Sequence, residues 1–383
     1  MTARPHLMHV VNGFGAGGTE MTCLRLAQHW QSRFCQHIVA LGPETRALEP
    51  AFRQLANSEI TVAAESPLNH LAMWRRLRHI VRDKSPDALI IHVFGIPHLV
   101  AASAARSAGV RSLAVKAGNP PPLQKALRWR WAAVALGSQL LRCPIASCSV
   151  AVDEALRKLS VGMPKNSRAL PNGIDIASLA ARASRSRQAR LDRAPVIGMV
   201  ARLDAIKDHD TLLRAFGLVR SRIPDCELWI VGDGALRGAL ESKSHTYGIA
   251  DWTKFLGDRA DIPELLGQMD VYAFSTTCDE GFGIALVEAM AAGVAVVASD
   301  VPACREVLGH GEGGILVPPG NASALAQSIV EVLQNPAMRA NKIEGAAARV
   351  EREYTIQKCA MRWEALLFPD TATAAVPDLQ CAF

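Results

Sequence analysis

The sequence predicts an α/β protein made of two Rossmann-like halves, and three observations predict it. Short β-branched runs alternate with longer amphipathic stretches from end to end. Such alternation gives parallel sheets covered by helices on both faces. A chain of 383 residues exceeds one ordinary core and suits two domains of roughly 150–200 residues each. Apolar residues make up 49% and charged residues 20%, ample for two cores and far from the composition of a disordered chain.

Taken in order, HLMHVV, HIVAL, ITVA, DALIIHV and RSLAV read as the strands of the first half. The stretches TEMTCLRLAQHW and LAMWRRLRHIV between them carry helical periodicity. The second half repeats the scheme with PVIGMV, ELWIVG, TKFLG, VYAFS, VAVVAS and GGILV. Between the halves, ASLAARASRSRQARLDRAP at residues 177–195 is rich in Arg, Ser and Ala and has no strand pattern. It reads as a basic surface connection into the second domain. The tail after Leu367, rich in Ala, Thr and Pro, reads as loosely ordered.

The net charge of +6 favours phosphates, nucleotides or anionic lipid without choosing among them. An arginine-sprinkled connection is more often solvated than bound to RNA, so no nucleic-acid partner is expected. Nine cysteines are scattered, and Cys143 and Cys148, the closest pair, have no His or Cys cluster to complete a zinc set. Reduced thiols in a cytoplasmic protein are expected, with no metal. The richest apolar run, ALIIHVFGIPHLVAASAA, is broken by two histidines and a proline, short of the ~18–20 apolar residues that a span requires. The first residues lack a basic stretch followed by an apolar run, so secretion is not expected.

VVNGFGAGGTEM, residues 10–21, spells G-x-G-x-x-G at Gly13, Gly15 and Gly18. A dinucleotide site would also need an acid about 20 residues on, at the end of the second strand. SRFCQHIVALGPE offers nothing acidic before Glu44, which argues against a nicotinamide-dependent oxidoreductase. Gly17 and Gly18 instead bring backbone N–H groups to the start of a helix near Thr19, where a phosphate is the natural occupant. A plain tight turn capped by Thr19 is the alternative.

CDEGFGIALVEAM, residues 278–290, is more specific. Glu280 falls in a Gly-rich loop after a strand, and Glu288 lies inside the helix that follows, among Ile284, Ala285, Leu286, Val287, Ala289 and Met290. A carboxylate on so apolar a helix needs a partner, either a structural cation or ligand hydroxyls. VARLDAIKD places Arg202 and Lys207 just past the second domain's first strand, where open parallel sheets bind ligands. Near a diphosphate, each cation would stabilise charge by ~4 kcal/mol at an effective dielectric near 20; alone, they would be surface cations. The DHD at 208–210 opens a helix, so its acids cap it and complement its dipole rather than hold a metal.

GAGGTE, PNGID at 171–175, VARLDAIKD, IVGDG at 230–234, KFLGD and EGFGIALVE follow one another as in family 4 glycosyltransferases, which the chain resembles over residues 13–288. The resemblance implies the GT-B architecture, two Rossmann-like domains facing each other across a deep cleft. Residues 1–176 would form the acceptor-side domain, joined by a C-terminal helix at 355–383, and residues 177–354 the donor domain. It implies a retaining transferase that moves a sugar from a nucleotide-diphosphate-sugar to a glycan or lipid-linked acceptor, without cofactor or metal. By the same resemblance Arg202 and Lys207 hold the donor diphosphate, Glu280 meets sugar hydroxyls and Glu288 binds the ribose diol. Backbone N–H groups of Gly281, Phe282, Gly283 and Ile284 meet phosphate and sugar, Gly17 and Gly18 complete the phosphate cradle, and the backbone around Gly257 and Arg259 contacts the base. A catalytically silent nucleotide-sugar binding module on the same fold is the alternative.

Many members of that family carry a histidine after the strand equivalent to RSLAV, and this chain reads KAGNPPP there. The acceptor-side candidates are therefore Lys116, Asn119, Asn172 and His92, the last at the end of DALIIH. MWRRLRHIVRDK and QKALRWRW set tryptophans among arginines, a pattern that suits either an ordinary solvated helix or a surface resting on anionic lipid at the inner face of a membrane.

Overall fold

The structure, a computed structural model, describes residues 4–369 except residue 16 and residues 43–46, 65–68, 123, 160–161 and 190–193. Glu44 and the tail from 370 onward, expected to be loosely ordered, lie outside the described residues. Contacts divide the chain into two compact units, Met1–Gly173 with Ile356–Phe383, and Ile174–Thr355.

In unit 1 the order is β1 (His6–Val11), α1 (Gly18–His29), β2 (Cys35–Ala40), α2 (Glu49–Arg53), β3 (Ser58–Val62), α3 (His70–Lys84), β4 (Ala88–Ile91), α4 (Ile96–Ser107), β5 (Ser112–Ala117), α5 (Lys125–Leu140), β6 (Ile145–Ser147), α6 (Val150–Arg157) and β7 (Arg168–Ala169). The strands form one parallel sheet ordered β3-β2-β1-β4-β5-β6-β7. Unit 2 runs α7 (Ile176–Gln188), β8 (Val196–Val200), α8 (His209–Arg220), β9 (Glu227–Val231), α9 (Arg237–Thr246), β10 (Thr253–Gly257), α10 (Ile262–Gly267), β11 (Val271–Phe274), α11 (Ile284–Ala291), β12 (Ala295–Ser299), α12 (Pro302–Val307), β13 (Ile315–Val317), α13 (Ala322–Gln334) and α14 (Pro336–Glu353). Its sheet is parallel in the order β10-β9-β8-β11-β12-β13. In both sheets the strand order reverses at one point, beside β1 and β4 in unit 1 and beside β8 and β11 in unit 2. Such reversals open a crevice at the carboxyl ends of the strands.

Residues 177–195 differ from the expected surface connection: most of them fold as α7. Asp175 caps that helix by accepting from the Ser178 N–H at 3.1 Å. Leu179 and Ala183, four apart, turn inward and are buried, and Arg182 forks onto Glu264 of α10 with both contacts at 2.7 Å. A Cβ at Gly267 would lie 2.2 Å from the Ala183 carbonyl oxygen, so only glycine lets α10 approach this closely. Arg185 is exposed, while Arg182 and Arg187 reach to α10 and to the carbonyls of Ala292 and Gly293, so a basic composition hid an amphipathic helix.

The last helix among the described residues, α15 (Ile356–Leu367), returns to unit 1. Its Ile356, Cys359, Trp363 and Leu367 join Leu7, Leu26 and Trp30 in one core cluster. Burying a side chain of the size of Trp363 is worth roughly 1.5–3 kcal/mol, and Trp30 donates its indole N–H to Glu364 at 2.8 Å.

Candidate functional site

The best-developed site belongs to unit 2, at the carboxyl ends of β8 and β11. The Tyr272 hydroxyl on β11 donates to the Val200 carbonyl at 3.0 Å and pins the end of β8. The chain then crosses β9's exit loop. A Cβ at Gly232 would lie 2.2 Å from the Ala201 oxygen, and one at Gly234 would lie 2.5 Å from the Leu203 oxygen. The glycines of IVGDG therefore serve packing: they let the Arg202–Lys207 loop lie flat on the loop after β9. On its other side the Ile206 carbonyl accepts from the Thr276 hydroxyl and the Thr277 N–H, both at 2.9 Å. Asp204 accepts from the Ile206 N–H at 3.1 Å and caps the single 3-10 turn Ala205–Lys207.

That turn delivers Lys207 to Glu280. The two side chains form a largely buried ion pair, and the Lys207 ammonium lies 4.9 Å from the centre of the Phe274 ring. Glu280 does more than pair. Its other oxygen accepts from the N–H groups of Gly281 at 3.1 Å, Phe282 at 3.2 Å and Gly283 at 3.0 Å. Gly283 is the N-cap of α11 with φ +78, so the carboxylate fills the donor nest at a helix start. Burial pushes the Glu280 carboxyl up, but Lys207 and these amides outweigh it and hold the group below its ordinary value.

Ile284 opens α11 and Glu288 is buried on it. Burial raises the Tyr272 hydroxyl well above its ordinary range, and the charges of Glu288 and Glu280 add to that shift. Both acids thus share one neighbourhood. Arg202 stands at the start of the same loop, exposed, with its guanidinium 3.0 Å from Asp204. Gly257 (φ +66) ends β10, two strands from β8, and its carbonyl accepts from the Gly232 N–H at 2.8 Å. Arg259 forks onto Asp261 at 2.7 and 2.6 Å. Of the DHD acids, Asp208 is the N-cap of α8, and Asp210 takes Lys243 at 2.7 Å and the Tyr247 hydroxyl at 2.9 Å. His209 between them is buried, and neither ring nitrogen has a hydrogen-bond partner among the described residues.

In unit 1, Gly17 is the N-cap of α1 and Thr19 lies inside its first turn. A Cβ at Gly17 would lie 2.5 Å from a Glu20 carboxylate oxygen, so that acid folds back over the helix start. Lys116 is buried on β5, and burial lowers its ammonium; Cys148, Cys359, Cys23 and Glu20 act in the opposite sense. Asn119 is exposed in the loop that follows, and Asn172 is buried before the unit ends. His92, at the end of β4, faces His9 of β1 across 3.1 Å, and His9 also meets Gln36 at 3.2 Å. Burial, helped by His9 and Lys116, lowers the His92 imidazole well below its ordinary value.

Sequence reasoning passed over Glu20, His9 and Tyr272. Glu20 had a signal, since a first-turn acid three residues past the N-cap can reach back to it. His9 and Tyr272 had none, because each acts through a partner distant in sequence. The eight described cysteines form no disulfide with one another. Among the described residues no helix is long and apolar enough to cross a membrane. A hollow of about 920 Å³ lined by Arg214, Leu218, Tyr247 and Pro318 contains none of the site residues.

Comparison with known proteins gives these features a family. Residues 16–178 match the family described as Glycosyltransferase Family 4, and residues 181–349 match Glycosyl transferases group 1. A phosphatidyl-myo-inositol mannosyltransferase of Mycobacterium tuberculosis is 40% identical over 194 residues, covering 48% of this chain and 49% of that protein. A GDP-mannose-dependent alpha-(1-6)-phosphatidylinositol monomannoside mannosyltransferase of the same species is 32% identical over 176 residues, covering 43% and 46%. The chain spans about half the length of these relatives. In fold, it is similar to Anabaena Alr3699/HepE in complex with UDP and glucose, with TM-score 0.80 and 21% identity over 93% of this chain and 97% of that one. It is also similar to a sucrose-phosphate synthase of Thermosynechococcus elongatus, with TM-score 0.75 and 18% identity over 95% and 98%. With both halves matched in order and two Rossmann-like sheets of the GT-B kind, the chain belongs to the family 4 glycosyltransferases.

Proposed function

We propose that the protein is a retaining glycosyltransferase. It takes a hexose-type sugar from a nucleotide-diphosphate-sugar and passes it to a glycan or lipid-linked acceptor at an anionic membrane surface, in glycolipid or cell-surface polysaccharide synthesis. The observation that carries this reading is the Lys207–Glu280–amide nest: one cation and three N–H donors converge on a single carboxylate. Those donors suit a departing diphosphate, and the carboxylate suits sugar hydroxyls once it has turned away from them.

Transfer breaks the bond between the anomeric carbon and the phosphate oxygen, and the electron pair leaves with the diphosphate. The oxygen of an acceptor hydroxyl then bonds to that carbon, and its proton passes to the departing diphosphate. Positive charge grows on the sugar and negative charge on the leaving group, so catalysis is chiefly positioning and aimed cations. Lys207, Arg202 and the start of α11 supply the cationic side, and Glu288 holds the ribose diol. The base lies along the backbone near Gly257 and Arg259, and Gly17 and Gly18 offer further N–H groups to phosphate. On the acceptor side Lys116, Asn119 and Asn172 are the polar groups to test. His92, paired with His9 and held neutral, serves to position rather than to shuttle protons.

The mannosyltransferase names make GDP-mannose the first donor to try, with UDP-glucose beside it. A thermal-shift panel tests the reading, because a ligand that prefers the folded state raises apparent stability by mass action. A clear shift with one nucleotide sugar and none with NAD is expected. No shift with any nucleotide sugar would refute the reading.

A further inference from the structure

The helices α3, α4 and α5 carry an apolar surface on the outside of unit 1. On α5, Trp129, Ala133, Leu136 and Leu140 recur at i, i+4, i+7 and i+11. At the helical repeat, that spacing holds all four within a stripe about 60° wide. The stripe faces outward: Trp129 is 63% and Leu140 77% exposed, while Val134, Ala135 and Ser138 on the opposite side are buried. Gly137 beds the helix on α4, where a Cβ would lie 2.9 Å from Leu99. Leu99 also lines a groove of about 540 Å³ with Val100 of α4 and Leu71 and Trp74 of α3. Leu99 therefore adjoins both α5 and the groove.

Its surroundings are basic. Residues 69–142 hold twelve of the chain's 42 Lys and Arg and two of its 36 acids, Asp83 and Asp87, leaving 30 and 34 for the remainder. Arg75 and Arg76 on α3 and Arg130 on α5 are exposed. The net positive charge of the chain thus comes from this one region.

We propose that this face docks on an anionic lipid bilayer, with α5 as the inserting element. The proposal deepens the membrane part of the function proposed above and rests on it. Hydrocarbon side chains enter to acyl depth while the arginines bind headgroup phosphates. A second copy of the same face would set arginine against arginine. A nucleic-acid surface would need aromatic platforms for bases, and beyond Trp129 the stripe is Ala and Leu. Trp74 of α3 donates its indole N–H to Ser103 at 3.2 Å and is held on the protein, which leaves insertion to α5.

The test is flotation of the whole chain with phosphatidylcholine vesicles, with and without phosphatidylglycerol. The wild type is compared with Trp129→Ser/Leu136→Ser/Leu140→Ser and with a control, Leu218→Ser/Met361→Ser, which removes two exposed apolar side chains elsewhere. Binding by the wild type that requires phosphatidylglycerol and weakens with salt is expected. The triple variant should bind about tenfold more weakly or less, with the control, the melting temperature and nucleotide affinity unchanged. Equal binding by the triple variant and wild type would overturn the role of α5 while leaving the membrane reading in place. Failure of the wild type to bind anionic vesicles at all would overturn both.

Discussion

Two helix starts, one in each unit, attract the same chemistry and differ in how much of it is built. At α1 a glycine pair opens the helix, and the only acid in its first turn, half-exposed Glu20, folds back over Gly17. At α11 a largely buried acid fills three N–H groups and meets a largely buried lysine delivered from a different loop. Any helix start has unpaired donors and welcomes an anion. The first has buried Lys116 as a charge neighbour of Glu20; the second sets Lys207 in ion-pair contact with its acid and frames it through Gly232, Gly234 and the Ile206 carbonyl. Glycines alone therefore mark where an anion can rest. A converging lysine adds what the proposed reaction asks for, a cation for the charge of its leaving group.

That contrast yields a ranking. Lys207→Ala should reduce turnover most, by about 10²–10³-fold, since it removes a cation aimed at the departing diphosphate; nucleotide release from the donor measures it. Glu288→Ala should weaken nucleotide binding about ten- to a hundredfold, as expected for lost hydrogen bonds from a charged group, and calorimetry reads the change. Glu20→Gln should alter nucleotide affinity by less than about threefold, because a half-exposed acid at a helix start contributes little. A Glu20 effect as large as that at Glu288 would erase the distinction between the two helix starts.

The smallest expected effect concerns the frame. His209, at the start of α8, is buried without a partner, and burial lowers its imidazole to about 4. Between that value and the ordinary 6.5 the unfolded chain binds the proton and the folded one does not. Stability should therefore rise with pH across this window and fall as the pH drops through it. His9 and His98, also lowered to about 4 by burial, act in the same sense. His209→Met should stabilise the fold by about 1 kcal/mol, because a buried polar group without a partner is removed, and should flatten part of that pH slope in thermal melts. A less stable variant would mean that the ring makes an interaction of value.

Much of the fold was legible because strands of parallel sheets are buried on both faces and read as β-branched runs. β6 and β7, of three and two residues, are too short to show a period. α7 was hidden because its buried residues, Leu179 and Ala183, are few among Ala, Ser and Arg. At the site, the spacing of Glu280 and Glu288 and the position of Lys207 could be read directly. The carboxylate's turn back onto its own amides could not, because it is a choice of rotamer rather than of residue. The His9–His92 pair joins residues 83 apart, and no local pattern announces such a partner.

The central claim is that Lys207 and the amides of residues 281–283 form a diphosphate site which Glu280 occupies until the donor arrives. Calorimetric titration of GDP and UDP into wild type, Lys207→Ala and Glu280→Gln tests it most directly. Opposite shifts for the better-binding nucleotide are expected, with affinity lost in Lys207→Ala and gained by a few-fold in Glu280→Gln, where a competing charge is gone. Wild-type affinity in both variants, or equal losses in both, would contradict the claim.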